Sequence, residues 1–509
     1  MLPVLPVFCL CLATLVQGDA SIQMWSVDVL KNNDVIRELE NGGYFDIWGD
    51  NTTHAQILVS STCRSTLVQQ VLESSEMRYW VEVEDVMSLV QQERIFMETT
   101  KNNREHPMDW NVYHNTADVE KFINWVKEMG GCFVQVLTAA TTEEGRQVLV
   151  IKVTDPFSDE PKTKIWIEAG IHAREWISPA VSLYILNLLI TDDSWRDLLK
   201  RTEWYIVPVV NPDGYHYSFT SESARLWRKN RQTHLDRGCK GVSLIRDMDL
   251  EWSFSTPFDP CSETYKGVTP FTEPETRGLQ AIMETVGGID LFIAFRGYGQ
   301  SIVYPVLRND IPPANIHEHE VLAMVFVHAV SYTSRGHINY EIGQSGPLYG
   351  LTSEDLAPEA QNRFIYTIDL PYKGRYGLLH SESNISSTLM ETTAGIMCMC
   401  LLYSKMLPVL PVFCLCLATL VQGDASIQMW SVDVLKNNDV IRELENGGYF
   451  DIWGDNTTHA QILVSSTCRS TLVQQVLESS EMRYWVEVED VMSLVQQERI
   501  FMETTKNNR

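Results

Sequence analysis

The chain is short of positive charge. Its 509 residues carry 40 Lys plus Arg against 66 Asp plus Glu, a formal net charge of −26. Nucleic-acid binding needs a basic face, so that class of partner is excluded, and the acidic excess reads as solubility. Basic residues are missing even from the apolar run Met1 to Gly18, where a secretory leader normally places them. The run otherwise has a leader's form, with Val16 and Gly18 as small residues before the expected cut, so residues 1–18 are assigned to a signal peptide. A second apolar run, Met406 to Val421, contains Pro408 and Pro411 and falls short of the roughly 20 residues a bilayer span requires. A membrane anchor is the alternative reading of that run, but membrane association is not expected.

The rest of the composition is ordinary. An apolar share of 44% and a charged share of 21% provide for a sizeable core, and the length suits two or three domains. A secreted chain may form disulfides, and Asn51-Thr52-Thr53 and Asn384-Ile385-Ser386 fit the N-glycosylation pattern. Between the leader and residue 405 stand Cys63, Cys132, Cys239, Cys261, Cys398 and Cys400. Cys239 and Cys261 flank one loop and are the preferred pair; spacing does not settle the others.

Residues 406–509 repeat residues 1–104 without one difference, leader included. Working structural repeats diverge away from their core. Perfect identity therefore reads as a joined or duplicated gene model, or as a very recent duplication.

Residues 19–104 read as a small α+β unit. Helical spacing of Val27, Leu30, Val35 and Leu39 predicts a helix over Ser26 to Glu40. Gln56 to Val59 and Tyr79 to Val83 read as strands, with a helix near Leu67 to Leu72 between them and a closing helix from Val86 to Met97. The polar stretch Thr99 to Arg104 is a linker and an exposed cleavage site. Such a unit serves equally as a binding domain or a removable prosegment. Residues 105–405 then alternate strands (148–153, 165–167, 205–210, 291–295, 364–368) with helices at Ala180 to Thr191, Asn315 to Ser331 and Ser387 to Tyr403. Asn211-Pro212-Asp213-Gly214 is a turn signal. This order predicts an α/β fold whose central sheet is covered by helices on both faces.

One stretch bears on chemistry. Gly170-Ile171-His172-Ala173-Arg174-Glu175-Trp176 follows the buried strand Ile165-Trp166-Ile167, so its side chains stand where an α/β sheet presents reactive groups. A neutral imidazole and a carboxylate are both zinc donors, and a catalytic zinc takes three protein ligands plus one open position. His-x-x-Glu alone is a weak signal, equally a structural pair.

Together with Asn211-Pro212-Asp213-Gly214-Tyr215, Arg225-Leu226-Trp227-Arg228-Lys229, Cys261-Ser262-Glu263-Thr264-Tyr265 and Gly374-Arg375-Tyr376-Gly377, the stretch 170–177 resembles the A/B-type zinc metallocarboxypeptidases over residues 19–405. The resemblance implies a mixed sheet of about eight strands, a prosegment over 19–104 released by a trypsin-like protease at Arg104, and a Cys239–Cys261 disulfide. It implies hydrolysis of C-terminal peptide bonds, with peptide or protein C-termini as partners, by a zinc held on two His and one Glu and a carboxylate acting as general base. By position, His172 and Glu175 are zinc ligands and Arg228 stabilises the oxyanion. Arg246 clasps the terminal carboxylate, Arg174 is a further substrate contact, Tyr349 closes over substrate, and Glu354 lines the specificity pocket, with Asp355 as the alternative match.

Three positions depart from that pattern. Arg296, in Phe295-Arg296-Gly297-Tyr298, stands where the second zinc His belongs, and a guanidinium has no lone pair to give. An Arg296–Glu175 ion pair is expected in its place. Asp369 stands at the general-base Glu, about 1.5 Å shorter by one bond, and misplacement of about 1 Å can cost roughly a hundredfold in rate. Ile245 replaces an amide beside Arg246. His317, His319 and His328 lie on one predicted helix and are not expected to substitute. The expectation is a family member whose site is impaired; the alternatives are an active zinc carboxypeptidase that tolerates two zinc ligands and Asp369, or a non-catalytic binder of peptide C-termini.

Overall fold

The computed structural model describes residues 22–28, 35–36, 39–40, 45–50, 54–60, 62–100, 106–233, 238–247, 259–305, 315–345, 364–371, 379, 384–406, 427–433, 451–455, 459–465 and 484–488. The calls on residues 1–18, the sequon at 51–53, Arg104, Tyr349, Glu354, Asp355 and 374–377 lie outside the described residues. The chain divides into two units, one of residues 1–316 with 323–400 and one of 317–322 with 401–509.

In the first unit, β1 (Ile22–Asp28), β2 (Asp46–Asp50), β3 (His54–Ser60), α1 (Thr62–Ser74), β4 (Tyr79–Val83) and α2 (Val86–Thr100) form a module with sheet order β2-β3-β1-β4. β1 overturns the start of the helix expected over Ser26 to Glu40, whereas the described residues 35–36 and 39–40 of that span are helical. Being an inner strand, β1 is covered on both faces: Trp25 and Val27 pack with Ile57 and Leu72, while Met24 packs with Leu58 and Val86. A strand buried on both sides loses its alternation, and spacing alone cannot tell it from a helix.

The body follows with α3 (Thr116–Gly130), β5 (Val134–Thr141), β6 (Gln147–Thr154), β7 (Thr163–Glu168), α4 (Ile177–Thr191), β8 (Thr202–Val207), α5 (Pro212–Ser218), α6 (Pro274–Val286), β9 (Leu291–Arg296), β10 (Ser301–Pro305), α7 (Ile316–Thr333), β11 (Glu341–Ser345), β12 (Phe364–Asp369) and α8 (Ile385–Met406). Its eight-stranded sheet runs β11-β10-β12-β9-β7-β8-β6-β5. The four inner strands β12, β9, β7 and β8 are parallel, and antiparallel pairings flank them at β10 and β6. This is the mixed sheet that the resemblance implies. The inner strands are near-continuous apolar runs because helices cover both faces. Trp166, Tyr205, Val207 and Phe292 meet Leu279 and Met283 of α6 on one side. α8 is long and apolar enough to cross a bilayer by composition, yet Leu389, Ile396, Met397 and Met399 are buried within the protein.

Two local outcomes set the site. Asn211-Pro212-Asp213-Gly214 is a helix start rather than a turn: Asn211 caps α5, its side-chain oxygen accepting from the Gly214 amide at 2.9 Å, and Pro212 opens the helix where its missing N–H costs nothing. The Cys239–Cys261 disulfide forms, with Cα atoms 5.2 Å apart. In the second unit, strands Ile427–Asp433, Asp451–Asp455, His459–Ser465 and Tyr484–Val488 pair in the order and register of β1 to β4.

Candidate active site

The carboxyl ends of β7, β9 and β12 lie side by side, and the chemistry-bearing side chains leave the sheet there. After β7 the chain turns at Gly170, whose φ of +65° suits a residue without Cβ. Asn211 secures the loop: its backbone amide donates to the Gly170 carbonyl at 3.1 Å and its side-chain amide to the Ile171 carbonyl at 3.3 Å. The Ala173 amide donates to the Arg228 carbonyl at 3.0 Å, so Arg228 is carried against the same loop. The Ser178 hydroxyl accepts from the Gly170 amide and donates to the Glu175 carbonyl.

His172 and Glu175 converge as expected, with Nδ1 and Oε1 2.7 Å apart. The other Glu175 oxygen accepts from the Gly297 amide at 2.9 Å. Burial, then the nearby Arg228 and Arg296 guanidiniums, push the His172 pKa down, so the ring is neutral near pH 7. Burial works against the Glu175 charge, but His172, Arg296 and Arg174 outweigh it and hold the carboxylate ionised. His172 Nε2 is buried without a hydrogen-bond partner.

Arg296 ends β9 and pairs in register with Asp369, the last residue of β12. Both are buried. The expected Arg296–Glu175 ion pair does not form: Glu175 is already taken by His172 and the Gly297 amide, and Arg296 acts on it only at longer range. Asp369 Oδ2 accepts from the Ser301 hydroxyl at 2.7 Å. Arg246 sits on a 3-10 turn, Leu244–Arg246, beside the buried Ile245, and its charge is felt by Arg228. The Arg228 guanidinium donates to the Glu263 carbonyl at 3.1 Å. Tyr349 and Glu354 cannot be placed because they lie outside the described residues. His317 stands exposed beside Glu320. Among the described residues, no group of three His, Cys, Asp or Glu side chains is assembled that could hold a metal ion.

Sequence reasoning missed two participants. Glu168 ends β7 with 1% exposure, and neither carboxylate oxygen has a hydrogen-bond partner. Burial raises its pKa to about 7 against the opposing pull of Arg296. The signal was present, since Glu168 is the one acid in the otherwise buried end of the strand Thr163–Glu168. Asp46 arrives from the N-terminal module and forms a buried ion pair with Arg174; nothing in local sequence announces so distant a contact. Glu93 of the same module engages Arg225 with two hydrogen bonds, at 2.5 and 3.0 Å, while Arg225 lies 3.6 Å over the Trp176 ring.

Residues 119–395 match the family model described as zinc carboxypeptidase. This chain belongs to the zinc carboxypeptidase family. Among curated relatives, carboxypeptidase B of Helicoverpa zea is 31% identical over 360 residues, which cover 67% of this chain and 83% of that protein. Carboxypeptidase B of Astacus astacus is 34% identical over 297 residues, 57% of this chain and 96% of that protein. The crystal structure of carboxypeptidase A from Helicoverpa armigera superposes with a TM-score of 0.69 over 76% of this chain and 98% of that one, at 24% identity, a match that speaks for the fold. The family implies zinc. In this chain the donors brought together are one imidazole and one carboxylate, with a guanidinium at the neighbouring strand end.

Proposed function

We propose that this protein is a secreted, prosegment-bearing zinc carboxypeptidase relative whose hydrolytic site is impaired and which retains a capacity to bind peptide C-termini. One observation carries the reading: Arg296, at the end of β9 beside the His172–Glu175 pair, occupies the position that the family pattern gives to a zinc-binding His. A guanidinium stays protonated and repels a cation, and two protein donors fall short of the three a catalytic zinc requires. The residues present therefore do not fit a resident zinc, and no reaction step is assigned through one. Asp369, held by Ser301, and the apolar Ile245 beside Arg246 support the same reading.

The rest of the machinery supports retained binding. Arg174, Arg228 and Arg246 are grouped on one side of the His172 loop, and guanidinium forks suit a carboxylate. Asp46 on Arg174 and Glu93 on Arg225 support assignment of 19–104 as a prosegment that covers the site until a trypsin-like protease cuts at Arg104. Expression with residues 1–18 intact and recovery of the chain from the medium tests secretion.

The active-enzyme reading draws its support from the 2.7 Å approach of His172 to Glu175, which is the geometry of two ligands ready to share a cation. Metal analysis of the purified full chain, with release of a C-terminal amino acid assayed after trypsin treatment, decides between them. The expected result is well under one zinc per chain and no release. One zinc per chain with turnover would overturn the impaired reading.

A further inference from the structure

Arg174, Arg228 and Arg296 are 2%, 8% and 7% exposed. The Nε groups of Arg174 and Arg228 are buried without hydrogen-bond partners. For Arg296, no side-chain hydrogen bond or close ion pair stands among the described residues. The Ala173 amide donates to the Arg228 carbonyl at 3.0 Å and Glu175 accepts from the Gly297 amide at 2.9 Å, so Arg174, Arg228 and Arg296 all stand about the one loop 172–175. A desolvated cation without a partner is costly, and the structure compensates only in part.

The acids in reach are each committed or weakened. Glu175 is held by His172 and the Gly297 amide. Asp369 accepts from Ser301. Burial raises the pKa of Glu168 and of Glu263. Asp46 is bound to Arg174, and it comes from the N-terminal module rather than the body. Glu40 of the same module acts on Arg228 at range.

We infer that Arg296, together with Arg228 and Arg174, turns the corner that holds a cation in the family into a subsite for a polyvalent oxyanion, a phosphate or a di- or tricarboxylate. The inference rests on the proposed loss of the third metal ligand. Several oxygens on one ligand satisfy the orphaned N–H groups in the charge-assisted, fork-like manner guanidinium favours. Asp46 is then the protein's own version of that ligand: it supplies one carboxylate to Arg174, and a free anion competes with it.

The test is calorimetric titration of the full chain with inorganic phosphate and, separately, with citrate, at fixed ionic strength in chloride. Saturable one-to-one binding is expected, and the two titrations distinguish a tetrahedral from a carboxylate preference. Arg296→Gln should weaken binding by roughly tenfold or more, the size of a lost charge-assisted hydrogen bond. Asp46→Asn should strengthen it. If Arg296→Gln does not fold, Arg296→Lys carries the test, because it keeps the charge and loses the fork, and a several-fold weakening is expected. Equal affinity in wild type and a folded Arg296 variant overturns the inference, as does absence of saturation by both anions in wild type and Asp46→Asn. Zinc content of the same samples separates the two readings. One zinc per wild-type chain removes the impaired-site proposal as well, whereas a zinc-free chain without Arg296-dependent binding removes this inference alone.

Discussion

The two sides of the site are built on adjacent strands of one sheet, yet they differ in chemistry. On the β7 side, His172, Arg174, Glu175 and Arg228, which we propose keep the family pattern, are locked by Asn211, Ser178 and the Ala173–Arg228 backbone bond. On the β9–β12 side stand Arg296 and Asp369, the two proposed departures from that pattern, although their strands pair in unbroken parallel register from Phe364↔Leu291 to Asp369↔Arg296. The architecture is intact on both sides. What the difference teaches is that sheet register and metal chemistry are separable: a parallel strand end accepts His or Arg alike, because the backbone ladder does not depend on the side chain that leaves it.

The strongest way to break the comparison is to make the two sides alike. Arg296→His with Asp369→Glu supplies a third nitrogen or oxygen donor and returns a longer carboxylate. Bound zinc should rise toward one per chain, and C-terminal amino-acid release should appear, roughly a hundredfold or more above the parent. Arg296→His alone should gain zinc with little release. A folded double variant that binds no zinc would place further damage outside these two positions.

The next largest effect sharpens the intact side. Arg225 is buried, pairs with Glu93, donates to the Arg174 carbonyl at 2.6 Å and covers the Trp176 ring. Arg225→Met leaves the Glu93 carboxylate buried and uncompensated, at a cost of about 3–5 kcal/mol. Limited proteolysis should then remove the N-terminal module faster, and the melting temperature should fall. Arg225→Met with Glu93→Leu should recover most of the loss, since removing both charges removes the penalty.

A smaller, pH-dependent effect tests the support beneath Arg228. Two residues on, the Asn230 amide donates to Glu273 at 2.6 Å and lies 3.5 Å from both Glu275 oxygens. Burial, the first cause in each, raises Glu273 to about 7 and Glu275 to about 8 from an ordinary 4.5; the Asn230 hydrogen bond opposes both shifts, Asp247 adds to the one at Glu273, and Glu273 and Asp213 add to the one at Glu275. Folded pKa values above the unfolded ones mean stability that is fully present below about pH 4.5 and is lost as pH rises through about 7 to 8. Urea midpoints should fall measurably between pH 5 and 9. Glu273→Gln with Glu275→Gln should flatten that slope, and an unchanged slope would count against a protonated pair.

Much of this was legible in the sequence. The inner strands at 148–153, 165–167 and 364–368 are apolar runs, and the structure finds β6, β7 and β12 there. The His172–Glu175 approach followed from three-residue spacing just after a strand. Other features were not legible for physical reasons. β1 hid because burial on both faces erases its alternation. The edge strand β11 and its neighbour β10 hid because they are five residues each with polar positions. The Arg296–Glu175 pair was a reasonable charge match, but the two Glu175 oxygens are engaged instead by His172 and the Gly297 amide. Asp46 on Arg174 depends on the docking of a module 128 residues away in sequence, which no local pattern encodes.

The smallest effect lies on the altered side. Gly299 has φ +141°, and a Cβ placed there would stand 2.6 Å from the Asp369 Cβ. Alanine at 299 must therefore strain its own backbone and displace Asp369 from the Ser301 hydroxyl. The backbone share is about 1–3 kcal/mol and shows directly in a thermal melt. The displacement is subtler and needs a double-mutant cycle. If Gly299→Ala already breaks the Ser301–Asp369 hydrogen bond, Ser301→Ala should cost less in that background than in the parent, with a coupling of about 0.5–1 kcal/mol. Strict additivity would mean that Asp369 keeps its place when 299 gains a methyl group, and that Gly299 is fixed by backbone conformation alone.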